Sequence, residues 1–363
     1  MGGKKYAILS MQRIVNFGSV LQAYSLRKIL KEATDCPVSF VDIDDATVLS
    51  SRQTVRNSVD YDAPAAYPPG LFQRAKRWIF ARCSAWNKHL IRKFMKEELS
   101  LADSSNAERY DCVVVGSDEV FNHSKGIRLQ LHGDVKQADK VISYAASCGS
   151  AMPDDISPDD LHQVRSAMAQ FSAMSVRDHA TENYVSALYD GPIEHHLDPV
   201  LVGDLYRRPH RPVKLKKYLL VYAYGQRIRT AEEINAIRNF AKTKGLKTVA
   251  MGGTQFWCDF YIPVSPFRVL DYFYSADYVV TDTFHGTIFS VINQKKFAVI
   301  VRKTNENKLI GLLQDLQLEN RRVENLDAIA EVLDAEIDYQ AIGAVLEQER
   351  ARTRAYLKTQ LEV

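Results

Sequence analysis

The sequence has few cysteines, little net charge and no long apolar run. Its five cysteines are scattered and never spaced as CxxC, which argues against a disulfide framework and against a structural zinc site. A formal net charge of +3 over 363 residues gives no bulk preference for polyanions, so we expect no nucleic-acid partner. No apolar run approaches the roughly 20 residues needed to cross a bilayer, and the N-terminus is too short and polar for a signal peptide. These absences predict a cytoplasmic globular protein.

Short β-branched runs alternate with helix-length amphipathic stretches along the chain, which is typical of an α/β protein with parallel sheets. Hydrophobic residues make up 46% of the chain, and its length is sufficient for two domains. We predict one α/β domain over 1–206, a basic linker over 207–217 and a second α/β domain over 218–335. A terminal helix within 336–363 is expected to pack back on the first domain. In this arrangement a ligand would bind in the cleft, at the carboxyl ends of the strands.

Several boundaries follow from the same periodicity. We expect a first strand over Tyr6–Ser10, a helix over about Ser19–Lys31 and a second strand over Val38–Ile43. Further along, a helix is expected over Leu161–Phe171 and a last helix over about Tyr339–Leu361.

The clearest indication of a functional site is TDTFHGTIFS, residues 281–290, where an apolar strand ends and a helix begins at His285-Gly286. Backbone N–H groups at a helix start, with the positive end of the helix dipole, bind phosphate or carboxylate. A histidine there can contact the anion and titrates near neutral pH. The alternative is a core histidine beside an ordinary N-cap threonine. The site residues expected here are Thr283, His285, Gly286 and Thr287.

Two other strand ends carry polar residues suited to a ligand. In NFGSVLQAYSL, which starts at Asn16, Gly18 would permit a positive φ and a close ligand approach just before a helix. An ordinary βα turn explains this stretch equally well. VGSDEVFN ends a buried strand, so Ser117 and Asp118 are expected at the carboxyl edge of the sheet. Asp118 is interpreted either as a general base toward a substrate hydroxyl or as a helix cap.

An arginine follows a further strand, in SVRD at residues 175–178. The planar guanidinium of Arg177 suits a carboxylate or phosphate. A salt bridge with Asp178 or Glu182 is the alternative for an arginine without a ligand.

Other polar residues give weaker indications. Arg302 and Lys303 follow an apolar strand, so either cation could reach the cleft, although solvation at the surface is the more ordinary role. The adjacent His195 and His196 would point to opposite faces of an extended segment, so we expect no metal site.

One segment, Leu71–Lys96, interleaves eight lysines and arginines with aromatic and aliphatic residues. Such a helix could lie on an anionic membrane or gather an acidic or lipid-linked ligand. The commoner arrangement is a helix packed on its domain with a solvated basic face.

Taken in order, seven stretches resemble the polysaccharide pyruvyl transferase family. They are NFGSVLQAYSL (16–26), VVVGSDEVFN (113–122), SYAAS (143–147), SVRD (175–178), LDPV (197–200), ADYVVTDTFHGTIFS (276–290) and LIGLLQDLQLEN (309–320). No single motif is decisive, but the ordered set is specific and runs to about residue 322. In one respect the chain differs, because Thr283 stands where better-known members carry an arginine two residues before the histidine. This version resembles a separate bacterial branch of the family with a TDTFHGT motif.

The resemblance implies a glycosyltransferase-B-like (GT-B-like) fold of two Rossmann-like domains with the active site in the cleft between them. It implies phosphoenolpyruvate as donor, no further cofactor, and a sugar acceptor that is free, nucleotide-linked or lipid-linked. The expected pathway is surface or extracellular polysaccharide synthesis, in the cytoplasm or at the inner face of the membrane.

The resemblance also assigns roles to individual residues. His285 would be the donor-site histidine, acting as an acid or stabilising the departing phosphate, and Arg177 would grip the donor. Asp118 would activate the acceptor. Arg302, Lys303 or the helix N-terminus would supply the positive charge that Thr283 does not.

Three other functions compete with this one. A nucleotide-sugar glycosyltransferase of the same architecture would grip the ribose with a carboxylate, but the helix over 286–293 contains no acid. A non-catalytic sugar-binding or assembly protein is compatible with Thr283, whereas the retained His285, Arg177 and Asp118 favour an enzyme. A dehydrogenase is disfavoured because no GxGxxG fingerprint follows the first strand.

Overall fold

Two parallel β-sheets, one in each half of the chain, organise the fold. The computed structural model describes residues 4–44, 48–53, 71–101, 108–225 and 227–362, with side chains of the helix over 71–97 described from residue 74. The first sheet has the strand order β2-β1-β4-β6-β7-β8 and the second β11-β10-β9-β12-β13, and every strand pair described in them is parallel. The predicted α/β class is therefore confirmed.

The first half is built from short buried strands and intervening helices. Its strands are β1 (Tyr6–Leu9), β2 (Val38–Phe40), β4 (Tyr110–Asp118), β6 (Ala138–Ala146), β7 (Phe171–Val176) and β8 (Ile193–His195). A small antiparallel pair is formed by β3 (Val48–Leu49) and β5 (Ile127–Arg128). The helices are α1 (Phe17–Thr34), α2 (Leu71–Glu97), α3 (Pro158–Met168), α4 (His179–Ser186) and α5 (Pro199–Val202).

The second half repeats the pattern. Its strands are β9 (Tyr218–Ala223), β10 (Lys247–Gly252), β11 (Phe260–Tyr261), β12 (Tyr278–Thr281) and β13 (Lys296–Val299). Its helices are α6 (Ala231–Thr243), α7 (Pro266–Ser275), α8 (Phe284–Ile292), α9 (Glu306–Asp315) and α10 (Ile329–Asp334), followed by α11 (Tyr339–Leu361). No helix in the described part of the chain is long and apolar enough to cross a membrane.

Each sheet has a point where the strand order reverses. In the first sheet, β2 lies on one side of β1 and β4 on the other; in the second, β10 and β12 flank β9. The crevice outside the carboxyl ends of the strands at such a reversal is where open α/β sheets bind ligands. The order of strands therefore singles out the residues after β1 and β4 and those after β9 and β12.

Several predicted boundaries need correction. Helix α1 begins at Phe17 instead of Ser19, because the Asn16 side chain accepts a hydrogen bond from the Gly18 N–H and caps the helix. Helix α3 covers Pro158–Met168, because Ser157 caps its start, and Phe171 belongs to β7. Strand β2 ends at Phe40, three residues before the predicted end.

The two halves share a buried core. One cluster of buried apolar residues includes Tyr6 and Phe17 from the first half together with Tyr218, Phe284 and Phe289 from the second. The two sheets are therefore joined by continuous apolar packing through α1 and α8. Such packing fixes the relative position of side chains that meet between the sheets.

Helix α11 returns to the first half, where it contacts α1 and α5. The Tyr356 hydroxyl donates a hydrogen bond of 2.8 Å to the Ser143 carbonyl, and Arg350 donates to the Leu201 carbonyl. The segment 208–217 before β9 contains no helix or strand, and its Arg208 is paired with the buried carboxylate of Asp271 on α7.

Candidate active site between the two sheets

The N-termini of two helices, one from each half, meet at His285. Helix α1 starts at Phe17, capped by Asn16, and α8 starts at Phe284, capped by the Thr283 hydroxyl, which accepts from the Gly286 N–H at 2.9 Å. Both helices direct their positive dipole ends toward this region. The junction therefore provides an electrostatic environment suited to an anion.

Gly18 allows this junction to form. A Cβ atom at Gly18 would lie 2.2 Å from Nδ1 of His285, so any side chain at position 18 would collide with the imidazole. The expectation that Gly18 adopts a positive φ is wrong, because Gly18 is not one of the residues with positive φ in the described chain. Its role is to admit the His285 ring against the first turn of α1.

Below His285, which belongs to the second half, lies a buried ion pair of the first half. Arg177, after β7, is 3% exposed and donates from Nη1 to Oδ2 of Asp198 at 2.8 Å. Nε2 of His285 lies 3.6 Å from the same Asp198 oxygen, within ion-pair distance but longer than a hydrogen bond. The Arg177 guanidinium also stacks over the Phe284 ring, 4.2 Å from its centroid.

Charge in this cluster is mutually compensated. Burial alone would raise the pKa of Asp198, but His285 and Arg177 lower it below its ordinary value. Burial would likewise lower the pKa of Arg177, and the carboxylates of Asp198 and Asp118 raise it above its ordinary value. Asp198 is therefore an ionised carboxylate held directly beneath His285.

A cavity of about 130 Å³ opens beside His285. Its walls combine the two helix starts with the ends of β9 and β10 and one face of α2. The lining residues include Asn16, Phe17, Thr283 and His285, with Tyr224 and Gly225 after β9, Gly253 after β10, and Ser84, Asn87 and Lys88 on α2. We call this the His285 cavity. Lys88 adds a cationic side chain to the lining, which also contains the N-termini of two helices.

A second, larger cavity of about 570 Å³ lies outside the carboxyl ends of β1 and β4. It is rich in side-chain oxygen, and its walls include Ser19, Asp42, Asp118, Glu119 and Asn122 together with Arg13, Lys125 and Arg128. Asn16 and Tyr224 line both cavities, so the two are adjacent. We call this the Asp118 cavity. Its position is the strand-order reversal of the first sheet.

Asp118 is held in a defined orientation within its cavity. Oδ2 of Asp118 accepts a 2.8 Å hydrogen bond from the Ser19 hydroxyl, and Oδ1 accepts from the Glu119 N–H. The next residue, Glu119, forms an ion pair with Lys308 of α9, which belongs to the second half. Lys308 lowers the pKa of Glu119 to about 2, against the opposing effect of burial. This pair adds an electrostatic contact between the halves.

The remaining residues predicted on α8 have local structural reasons for their identity. A Cβ at Gly286 would lie 2.0 Å from the Thr281 hydroxyl oxygen, so only glycine lets α8 pack against the end of β12. Thr283 lines the His285 cavity and caps the helix. Thr287 is fully buried, and its hydroxyl donates to the Thr283 carbonyl at 3.2 Å.

The structure does not bring Arg302 or Ser117 to the His285 cavity. Arg302 is paired with Glu233 of α6, and in the described part of the chain it lines neither cavity. Ser117 is fully buried, with its hydroxyl 3.4 Å from Asp198. The prediction that Arg302 replaces the missing positive charge is therefore not supported by the geometry, whereas Lys88 is a cation that lines the cavity.

Sequence reasoning missed three residues of this region. Asp198 enters the sequence analysis only as part of LDPV, although an Asp-Pro pair after a short strand is a signal for a helix start. Lys88 was counted only as part of a basic segment. Lys308 gave no signal, because its partner Glu119 is 189 residues away in sequence.

Comparison with known proteins agrees with this architecture. The profile of the family described as "Polysaccharide pyruvyl transferase" matches residues 16–304, which is most of the chain. The chain belongs to the polysaccharide pyruvyl transferase family. Both residues that meet at the junction, Gly18 and His285, lie within the matched region, as do Asp118, Arg177 and Asp198.

Solved structures show how the domains of this pyruvyl transferase family member are arranged. The UDP-GlcNAc 2-epimerase from Methanocaldococcus jannaschii is 11% identical, with a TM-score of 0.51, over 97% of this chain and 99% of that one. The S. aureus MnaA–UDP co-structure is 12% identical, with a TM-score of 0.51, over 99% and 97%. At such identity the likeness concerns the fold alone, which is two Rossmann-like domains in a GT-B-like arrangement. No curated protein gives a significant match.

Proposed function

We propose that this chain is a pyruvyl transferase that moves pyruvate from phosphoenolpyruvate onto a pair of sugar hydroxyls. The family and the fold indicate a transferase. The observation that carries the specific proposal is the convergence of two helix N-termini, Lys88 and the Asp198-backed His285 on one small cavity.

The His285 cavity suits the donor because phosphoenolpyruvate places a phosphate and a carboxylate on a three-carbon frame. The starts of α1 and α8 supply positive dipole ends, and Lys88 supplies a full charge. Arg177 is buried and already paired with Asp198, so in this proposal it holds Asp198 ionised instead of contacting the donor.

His285 is assigned as the acid. In this proposal the imidazole, whose Nε2 lies 3.6 Å from the Asp198 carboxylate, delivers a proton to the C3 methylene of the donor. C2 becomes cation-like and is attacked by a sugar oxygen. The C2–O bond to phosphate breaks as the second hydroxyl closes the ketal. The two hydroxyl protons balance the one added at C3 and the one carried away by phosphate.

The acceptor is placed in the adjacent Asp118 cavity. Its oxygen-rich wall can hydrogen-bond a polyhydroxylated sugar, and Asp118 is fixed by Ser19 with a carboxylate available as general base. The shared residues Asn16 and Tyr224 mark where the reacting atoms of donor and acceptor would meet. Asp118 therefore takes the proton of the attacking hydroxyl. Surface polysaccharide synthesis is the process in which such a ketal would be made.

The test is turnover. Phosphoenolpyruvate is incubated with the protein and a panel of free, nucleotide-linked and polyprenyl-diphosphate-linked sugars, while phosphate release and the acceptor mass are measured. We expect phosphate release coupled to addition of one pyruvyl ketal, reduced at least a hundredfold in His285→Ala and unchanged in His162→Ala, an exposed control on α3. Turnover retained by His285→Ala would contradict the assignment of the acid. Consumption of a UDP-sugar in place of phosphoenolpyruvate would contradict the proposed donor.

A further inference from the structure

Helix α2 has two faces of different character. Its inner face is buried across both halves: Phe80 packs against Tyr261, Phe94 packs against Tyr24 of α1, and the Asn87 side chain accepts from the Val264 N–H at 3.0 Å. Ser84 and Lys88 on the same side line the His285 cavity. The inner face therefore explains why α2 is held on the domain core.

The outer face carries large apolar side chains in water. Trp78 is 62% exposed, Ile79 52% and Trp86 56%. Trp78, Arg82 and Trp86 are spaced four residues apart, so all three lie on one side of the helix. Two exposed tryptophans so close together are unusual on a water-facing surface, since burying each one would remove a large apolar area from water.

The charge of this face is predominantly positive, although Lys93 forms an ion pair with Glu97. Helix α2 carries eight lysines and arginines and a single acid, Glu97 in its last turn. Apart from Lys88, which lines the His285 cavity, the exposed cations on the described part of the helix are Arg74, Arg82, Arg92, Lys93 and Lys96. The Arg82 guanidinium lies over the Trp78 ring, 4.9 Å from its centroid, so cation and aromatic side chains form one continuous surface. We call Trp78, Ile79, Trp86 and these cations the outer face of α2.

We propose that the outer face of α2 docks on an anionic lipid bilayer. Tryptophan prefers the boundary between headgroups and acyl chains, and lysine and arginine bind lipid phosphates. A protein partner fits less well, because three apolar side chains are a small core for a protein interface. The proposal goes beyond the pyruvyl transfer and does not depend on the identity of the donor.

Docking through this face has a geometric consequence. The inner face of the same helix lines the His285 cavity, so the bilayer would lie on the opposite side of α2 from the reacting groups. A single helix thickness, about 10 Å, would separate the headgroups from the cavity wall. An acceptor anchored in the bilayer would then reach the cleft around the edge of α2.

The tryptophans supply their own reporter. The chain has three, and the third, Trp257, donates its indole N–H to the Ile228 carbonyl inside the second half. The full-length protein is mixed with vesicles of phosphatidylglycerol and phosphatidylcholine, or of phosphatidylcholine alone. Co-sedimentation, the blue shift of tryptophan emission and quenching by brominated acyl chains are measured.

We expect binding to the anionic vesicles only, a blue shift with bromine quenching, and a several-fold loss of binding as salt is raised. Trp78→Ser/Trp86→Ser should weaken binding about tenfold or more, whereas Trp78→Phe/Trp86→Phe should still bind but lose the blue shift. Phe260→Ser, an exposed aromatic in β11, is the matched control and should bind like the wild type. Melting temperatures verify that all variants fold.

Three results would overturn the proposal. One is the absence of wild-type binding to anionic vesicles at low salt. Another is binding that the serine variant retains in full. The last is a wild-type dimer that becomes monomeric in Trp78→Ser/Trp86→Ser without any vesicle binding, which would assign the outer face to a second copy of the chain. Pyruvyl transfer to a soluble acceptor is measured in parallel, so a failure of docking is distinguishable from a failure of the proposed reaction.

Discussion

Replacing Gly18 by alanine tests the junction of the two halves with a single methyl group. Ordinary contact begins at about 3.4 Å, and the new Cβ would lie 2.2 Å from Nδ1 of His285, so the imidazole must retreat by about 1.2 Å. Displacement of a reacting group by about 1 Å can cost about a hundredfold in rate. We therefore expect kcat for phosphate release from phosphoenolpyruvate to fall about a hundredfold in Gly18→Ala.

The same substitution should leave the fold intact. The nearest clashing atoms all belong to one imidazole ring and none to the backbone, and alanine is favoured over glycine in a helix by about 1 kcal/mol, which offsets part of the strain. The melting temperature of Gly18→Ala should stay within a few degrees of the wild type. Gly343→Ala on α11, where a Cβ meets nothing within 4 Å, is the matched control and should keep full activity with a slight gain in stability.

A double-mutant cycle makes the argument specific to His285. In a His285→Ala background the clash no longer exists, so adding Gly18→Ala should change the rate no further. The reasoning is refuted if Gly18→Ala turns over at the wild-type rate. It is also refuted if Gly18→Ala slows the enzyme equally with and without the His285 side chain.

Three further predictions concern stability. Thr283→Ala removes the cap of α8 and should lower the free energy of unfolding by about 1 kcal/mol in urea titrations; an unchanged midpoint would contradict the cap. Lys308 lowers the pKa of Glu119 from the ordinary glutamate value of 4.5 to about 2. The free energy of unfolding of the wild type should therefore decline as the pH falls from 4.5 toward 2, and Glu119→Gln should show a smaller decline. Burial raises the pKa of Asp282 to about 6, so ionisation destabilises the fold as pH rises through 4 to 6. The free energy of unfolding of Asp282→Asn, minus that of the wild type, should therefore be larger at pH 8 than at pH 4. A smaller difference at pH 8 than at pH 4 would contradict the raised pKa of Asp282.

The elements of the fold followed from local pattern. Helix α11 lies at the predicted Tyr339–Leu361, because amphipathic periodicity is a property of neighbouring residues. The end of α3 was misjudged, because the chain turns at Ala169-Gln170 and Phe171 enters the sheet.

Only the part of the candidate site that lies at the end of a single strand could be predicted from the sequence. The TDTFHGT stretch indicated His285 because the end of a strand, the helix cap and the helix start follow one another directly in the sequence. In the structure the strand ends at Thr281, Thr283 is the cap and the helix starts at Phe284. The Asp198 carboxylate under His285 and the Lys308–Glu119 pair join residues far apart in sequence, so they depend on how the two halves pack. Gly18 was noticed for the wrong reason, since the ring that requires it comes from the other half.

The central claim is that phosphoenolpyruvate binds in the His285 cavity, and thermal stabilisation by the ligand tests it most directly. A ligand that binds only the folded protein raises the melting temperature with the logarithm of its concentration over Kd. We predict a rise with phosphoenolpyruvate and none with UDP, a smaller rise in Lys88→Ala, and an undiminished rise in Lys303→Ala, an exposed control. A rise with UDP and none with phosphoenolpyruvate would contradict the account.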